Sequence, residues 1–165
     1  MKLEGKIALV TGASRGIGAA IADNLAANGA YVVGTATSEN GAAAIEQRFA
    51  AAGYAGAGRV LDVTSQESID DVIKACAELR GAPTILVNNA GITRDNLLMR
   101  MKEDEWQDII DTNLSSVYRM SKAVLRGMMK AKQGRIISVT SVVGATGNAG
   151  QVNYTAVSYT HLTLP

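Results

Sequence analysis

The chain has 165 residues, a formal net charge of +1 and a hydrophobic fraction of 47%, which is typical of a soluble globular protein. This length suits one domain with a sizeable core, and the near-neutral charge does not favour nucleic acid or an anionic membrane surface as a partner. No apolar run reaches the ~20 residues of a membrane span, and residues 1–6 lack the apolar stretch of a signal peptide. We therefore expect a cytoplasmic protein that binds neither nucleic acid nor membranes.

Short β-type runs alternate along the chain with segments of 3.6-residue periodicity, a pattern typical of a parallel sheet with helices on both faces. The predicted strands are 6–10, 31–35, 58–63, 84–88 and 135–139, and the predicted helices are 16–28, 41–52, one from an N-cap signal at 64–67 to 79, and 102–130. Right-handed crossovers then give the strand order 3-2-1-4-5 of a Rossmann-type doubly wound α/β fold. Ligands bind such sheets at the carboxyl ends of the strands, where the order reverses between strands 1 and 4.

The predicted sheet ends early. Strand 5 is apolar enough to lie inside a sheet, yet no later segment of the sequence can pair with its free edge. An unpaired strand edge of this kind can pair with a strand of another chain and so promotes association. We expect an incomplete sheet whose later strands are missing.

A single cysteine, Cys76, excludes an internal disulfide and is compatible with a reducing compartment. It continues an apolar helical stripe with Ile69, Val72 and Ile73, which predicts a position in the core. The sequence predicts no metal site.

The stretch Thr11–Gly18 joins strand 1 to helix 1 and contains three glycines. Gly12 allows a tight turn, Gly16 lets the backbone approach phosphates, and Gly18 lets the helix pack closely on the strand. The helix N-terminus presents free N–H groups and a partial positive charge to an anion. The Gly-x-x-x-Gly-x-Gly spacing differs from the commoner Gly-x-Gly-x-x-Gly fingerprint. It predicts a pyrophosphate site, and tight packing without a ligand is the alternative.

The loop after strand 2 indicates which dinucleotide binds. NAD sites place an acidic residue there for the ribose 2′-hydroxyl, but residues 35–38 contain no carboxylate before Glu39. Arg15 can reach the same region with a guanidinium suited to phosphate, although a solvated surface arginine is the alternative. This combination favours NADP over NAD. Asp62, at the end of strand 3, is placed either to accept a hydrogen bond from the adenine amino group or to cap a helix.

Asparagines mark two further positions. Residues 88–91, Asn-Asn-Ala-Gly, follow strand 4, where small residues let a ribose lie close to the backbone and the asparagines can tie neighbouring loops together. An ordinary turn is the alternative. Asn113 is a poor helix former inside the long predicted helix. A polar residue facing the sheet needs a partner or a water, which suits a proton relay, and a kinked helix with a satisfied asparagine is the alternative.

Strand 5 runs into Thr140 and Ser141, and Tyr154 follows thirteen residues later. A tyrosine has a pKa near 10, so acid–base chemistry near neutral pH needs a nearby cation. A lysine at i+4 would face the same way, but this chain has Ser158 there. Ser141 and Tyr154 are therefore a candidate catalytic pair without the expected cation.

Together these residues resemble the short-chain dehydrogenase/reductase family. The loop Thr11–Gly18, the motif Asn88–Gly91, Asn113, Ser141 and Tyr154 occur in the order and spacing of that family. Within it, stretches 34–41, 91–101 and 144–154 are similar to bacterial members that act in fatty acid biosynthesis. The resemblance covers residues 1–156, which is only part of a full-length member.

The resemblance implies reduction of a 3-oxoacyl thioester on acyl carrier protein by hydride from NADPH. Ser141 would hydrogen-bond the substrate carbonyl, Tyr154 would donate the proton, and Asn113 would hold a water that feeds protons to the tyrosine. Basic residues beside the site would dock the acidic carrier protein, with a solvated helix end as the alternative for the candidates Lys130, Lys132 and Arg135. The family forms homotetramers. The implied cofactor-binding residues are Gly12, Ser14, Arg15, Gly16, Ile17, Gly18, Thr37, Asp62, Val63, Asn89, Ala90 and Gly91.

The last residues depart from the family pattern. After Tyr154 the family continues to a lysine and further strands, whereas residues 157–165 resemble no part of it. We expect a dinucleotide-binding domain over 1–156 and a non-family tail over 157–165, from a truncated or chimeric reading frame. His161 lies in that tail and receives no catalytic role. The alternatives for function are a catalytically inactive NADP-binding fragment and a reductase of another ketone, such as acetoacetyl-coenzyme A.

Overall fold

The computed structural model describes residues 2–163, without the side chain of Thr163. Met1 and the last two residues of the predicted tail, Leu164 and Pro165, lie outside the described residues. The strands form one parallel sheet in the order β3-β2-β1-β4-β5, which confirms the predicted topology. The strands are β1 (Ile7–Val10), β2 (Tyr31–Ala36), β3 (Gly56–Val60), β4 (Ile85–Asn88) and β5 (Arg135–Ser138).

Helices cover both faces of this sheet, as predicted. They are α1 (Gly16–Ala27), α2 (Glu39–Ala51), α3 (Gln66–Leu79), α4 (Glu103–Ile109), a π-helical turn (Ile110–Ser115), α5 (Ser116–Ala131), α6 (Val143–Thr146) and α7 (Val152–Thr163), with a short 3₁₀ turn at Leu98–Arg100. One core layer holds α1 and α2 through residues such as Ile45 and Phe49. The other holds α3 and α5, and it contains Cys76 where the apolar stripe predicted it. Within residues 2–163, no helix combines the length and hydropathy that crossing a membrane requires.

Two predicted elements, helix 2 and strand 3, have different bounds in the structure. Helix α2 begins at Glu39 rather than residue 41, because the Ser38 hydroxyl accepts a hydrogen bond from the Gly41 amide. Strand β3 spans 56–60 rather than 58–63, with Gly56 paired to Val32. A side chain at Gly58 would collide with the backbone of α2, so glycine, ordinarily weak in strands, is required by close packing.

The chain is helical without a gap from residue 103 to residue 131, which confirms the long helix predicted over 102–130, but the helix is not α-helical throughout. The π-helical turn Ile110–Ser115 separates α4 from α5. It contains Asn113, which is buried and faces the end of β4. π-Bulges of this kind are rare and occur mostly at functional positions.

Strand β5 forms the edge of the described sheet. It pairs with β4 alone among the strands of residues 2–163, and Ile136 and Ile137 are 40% and 48% exposed. This exposure agrees with the predicted free edge beside strand 5.

Candidate functional site

Two adjoining cavities lie at the carboxyl ends of the strands, on either side of the point where the strand order reverses. The first, which we call the loop cavity, has a volume of about 890 Å³ and follows the glycine loop toward the ends of β2 and β3. The second, the tyrosine cavity, has a volume of about 570 Å³ and lies beyond the ends of β4 and β5. Both cavities are lined by Arg15, Ile17 and residues 89–92, so they share one wall.

The predicted site residues divide between these cavities. Asn113, Ser141 and Tyr154 all line the tyrosine cavity. The loop cavity is lined by all twelve predicted cofactor-binding residues: Gly12, Ser14, Arg15, Gly16, Ile17, Gly18, Thr37, Asp62, Val63, Asn89, Ala90 and Gly91.

The glycine loop has the geometry that a diphosphate requires. Gly12 and Gly16 adopt φ values of +66° and +59°, which side chains rarely tolerate. A Cβ at Gly16 would meet no atom within 4 Å, so the backbone here is open to a ligand. Within residues 2–163, the amides of Ser14 and Arg15 have no hydrogen-bond partner. Free amides at the start of the twelve-residue helix α1 form an anion cradle, so these residues fit a dinucleotide.

Thr11 and Asn89 join the two strands at the reversal point. The Thr11 hydroxyl accepts hydrogen bonds from the amides of Asn89 and Ala90 at 3.0 and 2.9 Å. The Asn89 side chain donates in return to the carbonyls of Thr11 and Gly12 at 3.0 and 3.1 Å. The structure thus confirms that an asparagine after strand 4 ties neighbouring loops together, and Thr11 is a partner that the glycine pattern alone did not identify.

Arg15, Thr37 and Asp62 line the loop cavity. Arg15 and Thr37 are exposed, and the Arg15 guanidinium has no ion-pair or hydrogen-bond partner in the described part of the chain. One carboxylate oxygen of Asp62 accepts hydrogen bonds from the hydroxyl and the amide of Thr64. Both bonds lower the pKa of the Asp62 carboxyl group, and the bond from the hydroxyl has the larger effect. Ser65, not Asp62, is the N-cap of α3, so the capping alternative for Asp62 is wrong.

The side-chain amide of Asn113 forms two hydrogen bonds with the loop after β4. Its Oδ1 accepts a hydrogen bond from the Ile92 amide at 2.9 Å, and its Nδ2 donates to the Ile92 carbonyl at 2.8 Å. The satisfied asparagine is therefore confirmed, and it lies in a π-helical turn. Because the side chain is occupied, the group that Asn113 still offers for a relay is its backbone carbonyl.

The segment that carries Ser141 is tied to the helix that carries Tyr154. Thr140 donates its hydroxyl proton to the Ser158 carbonyl at 2.8 Å, which links the end of β5 to α7. Asn153 is fully buried, and its side chain donates to the carbonyls of Arg94 and Glu105 at 3.0 and 3.3 Å. Sequence reasoning missed Thr140 and Asn153 as positioning residues. The available signal was that each is a polar residue directly before a candidate catalytic residue, Ser141 or Tyr154.

Helix α7 brings three residues of the predicted tail, Val157, Ser158 and His161, into the tyrosine cavity. Ser158 and His161 lie one and two turns beyond Tyr154, so all three share a helix face. Burial lowers the pKa of the His161 imidazole, against a smaller opposing effect of its hydrogen bond to the Asn113 carbonyl. Its Nε2 is buried and has no partner among residues 2–163. His161, which was given no role, is thus part of this cavity.

The three basic candidates for carrier-protein docking lie elsewhere on this chain. Lys130 and Lys132 end α5, and Arg135 begins β5 at the amino edge of the sheet. Both cavities lie at the carboxyl edge, so the expected position beside the site is wrong for this chain. Their docking role stays a prediction. Among the described residues, no group of three or more histidine, cysteine, aspartate or glutamate side chains is arranged to hold a metal ion.

Comparison with known proteins identifies relatives of this chain. Residues 6–158 match the family model described as short chain dehydrogenase. The chain is 67% identical over 156 residues to a protein of Vibrio harveyi, and 64% identical over 156 residues to one of Escherichia coli K12. Both are named 3-oxoacyl-[acyl-carrier-protein] reductase FabG, as is a Haemophilus influenzae protein that is 60% identical over 154 residues.

The matches cover most of this chain but less of its relatives. The Vibrio and Escherichia alignments include 94% of this chain and 63% of each relative, and the Haemophilus alignment includes 93% and 62%. The chain therefore spans somewhat under two-thirds of the length of these curated relatives. With its family model matched over residues 6–158, its parallel sheet and its glycine loop, the chain belongs to the short chain dehydrogenase family.

Proposed function

We propose that this chain binds NADP(H) in the loop cavity and reduces a 3-oxoacyl thioester of acyl carrier protein to the 3-hydroxyacyl thioester, a step of fatty acid biosynthesis in the cytoplasm. The observation that carries the proposal is that Arg15, Ile17 and residues 89–92 line both cavities. The proposed dinucleotide site therefore adjoins the cavity that contains Ser141 and Tyr154. The printed names of the relatives support the substrate class.

The preference for NADP(H) over NAD(H) rests on charge. The loop cavity contains the unpaired Arg15 guanidinium and the hydroxyl of Thr37, and no carboxylate precedes Glu39 after β2. A guanidinium favours a 2′-phosphate, whereas an acidic residue would favour a free 2′-hydroxyl. NADPH should therefore bind more tightly than NADH.

In the proposed mechanism the bound cofactor supplies a hydride to the 3-oxo carbon. The Ser141 hydroxyl donates a hydrogen bond to the carbonyl oxygen and stabilises the charge that develops there. Tyr154 donates the proton that completes the hydroxyl group. The Asn113 backbone carbonyl holds the group that returns a proton to Tyr154, either a water or the imidazole beside it.

The test is NADPH oxidation, measured by absorbance, with acetoacetyl-acyl carrier protein as substrate. Tyr154→Phe should lower kcat by about 10²-fold, because general acid catalysis is lost. Tyr159→Phe is the matched control, since Tyr159 lies on the same helix and is 59% exposed, and it should leave kcat unchanged. Equal rates for Tyr154→Phe and the unaltered chain would refute the assigned role.

Ser158 favours a second candidate function, NADP(H) binding without catalysis. It occupies the i+4 position of Tyr154, is 3% exposed, and brings no cation to the tyrosine. Turnover should therefore be at least ~10²-fold below that of the Escherichia coli relative in a parallel assay. NADPH binding with no measurable turnover on acyl carrier protein or coenzyme A thioesters would establish the second candidate. Faster turnover of acetoacetyl-coenzyme A than of the carrier-protein substrate would instead identify another ketone as substrate.

The partners are part of the same proposal. Acyl carrier protein is the proposed substrate carrier, and a homotetramer is the proposed assembly. Sedimentation of the purified chain, alone and with acyl carrier protein, measures both.

A further inference from the structure

Arg48 contacts the glycine loop from the side opposite the loop cavity. This arginine lies near the end of α2 and lines neither cavity. Its Nη2 donates to the carbonyl of Ala13 at 2.8 Å, and its Nη1 donates to the carbonyl of Ser14 at 3.4 Å. Its Nε donates to Asp23 Oδ1 at 2.9 Å, which fixes the guanidinium against α1. One side chain therefore holds two consecutive peptide groups of the loop.

The orientation of those peptide groups determines where their amides point. In a planar trans peptide, the carbonyl of one residue and the N–H of the next point in opposite directions. Because Arg48 holds the carbonyls of Ala13 and Ser14, the amides of Ser14 and Arg15 are directed away from Arg48. Neither of these two amides has a partner in the described part of the chain, and both residues line the loop cavity.

We propose that Arg48 is a positioning residue, which aims the Ser14 and Arg15 amides at the diphosphate of the dinucleotide. The inference rests on the proposed function for the identity of that ligand. The guanidinium acts through the peptide groups: it fixes their direction, and its charge polarises them so that their N–H groups become better donors to an anion. The 5.5 Å contact of the guanidinium with the Phe49 ring and the Asp23 ion pair keep it in place.

A purely structural role is the competing explanation, since Arg48 also joins α1 to α2. Arg59 provides a matched control that also bonds to α2: its Nη1 donates to Glu46 of α2 at 3.0 Å and to the Gly58 carbonyl at 2.6 Å. It contacts no residue of the glycine loop. Arg59→Met removes an ion pair with α2 and a contact with a carbonyl of β3, and it leaves the contacts of the glycine loop unchanged.

Two measurements test the proposal on the full chain. The first is the Kd for NADPH by calorimetry, which Arg48→Met should raise about tenfold, with Arg59→Met unchanged. The second is the NMR shift of the Ser14 and Arg15 amides on titration with inorganic pyrophosphate, which Arg48→Met should largely abolish. Arg48→Lys keeps the charge but cannot hold two carbonyls and Asp23 together, so it should give an intermediate Kd, and it serves if Arg48→Met does not fold.

The outcomes separate this inference from the proposed function. If the unaltered chain and Arg48→Met bind NADPH with the same Kd and shift the same amides with pyrophosphate, the role of Arg48 is refuted and the proposed function stands. If Arg48→Met lowers the melting temperature but changes neither the Kd for NADPH nor the amide shifts with pyrophosphate, Arg48 has only a structural role and the inference is again refuted. If pyrophosphate shifts both amides only when Arg48 is present, but NADPH does not bind, the positioning role stands and the proposed function fails.

Discussion

His161, the single histidine of the sequence, links stability to pH. It lines the tyrosine cavity, contacts the Asn113 carbonyl and has its pKa lowered by burial from the ordinary value of 6.5. The folded chain therefore binds fewer protons at this site than the unfolded chain does at pH values just below 6.5. At pH values well above 6.5, His161 is neutral in the folded and the unfolded chain and does not affect stability. As the pH falls from 6.5 to the lower pKa of the folded state, the free energy of unfolding decreases.

This linkage predicts a specific effect of His161→Gln. The unaltered chain should lose more unfolding free energy than the variant when the pH falls from about 7.5 to about 5.5, because the variant has no imidazole to protonate. Urea denaturation at both pH values measures the difference, and Asp62 and Glu105, whose carboxyl pKa values are also lowered, are common to both proteins. An identical loss in the two proteins would show that the imidazole is freely solvated in the folded chain.

Among the elements, α7 and the segment before it depend on a few buried polar contacts. Asn153 bonds to the carbonyls of Arg94 and Glu105 and accepts a hydrogen bond from the Tyr154 amide at 2.8 Å. It therefore holds the first turn of α7 against α4 and the loop after β4. The position of Tyr154 in its cavity depends on this buried amide.

Asn153→Ala should lower the unfolding free energy by about 2 kcal/mol, because it leaves buried carbonyls without donors. Asn148→Ala is the control: its side chain bonds to Gln151 at the surface, and its loss should change stability by less than about 0.5 kcal/mol. Urea denaturation of the three proteins measures both changes. Equal stabilities of the two variants would contradict the anchoring role of Asn153.

The element boundaries show what periodicity can and cannot predict. The strand order, the helices on both faces and the Ser65 cap followed from patterns that are local in sequence. The start of β3 did not, because Gly56 and Gly58 are explained by α2 packing on the strand, a contact remote in sequence. The π-helical turn in the long helix contains Asn113, whose side chain bonds to Ile92, a contact that no helical pattern reveals.

The candidate site shows the same division between local and remote signals. The glycine loop and the residues after β4 could be grouped from their spacing, and the structure brings them to one edge of the sheet. The contributions of Arg48, Thr140 and Asn153 were not predicted, since each depends on a partner carbonyl brought close by folding. His161 was discounted because the sequence after Tyr154 departs from the family, yet helical periodicity returns it to the same face.

At the scale of the whole molecule, the two cavities adjoin each other, because Arg15, Ile17 and residues 89–92 line both of them. The strand reversal between β1 and β4 creates the opening, and the contacts of Thr11 and Asn89 keep the two strand ends together. A dinucleotide whose diphosphate lies on the glycine loop can therefore extend its nicotinamide ring toward Ser141 and Tyr154.

The most direct test of this arrangement is a crystal structure of the chain with bound NADPH. The account predicts the diphosphate within hydrogen-bond distance of the Ser14 and Arg15 amides, the 2′-phosphate beside the Arg15 guanidinium, and the nicotinamide ring in the tyrosine cavity facing Ser141 and Tyr154. A dinucleotide bound outside the loop cavity, or a nicotinamide ring directed away from both hydroxyl groups, would contradict it.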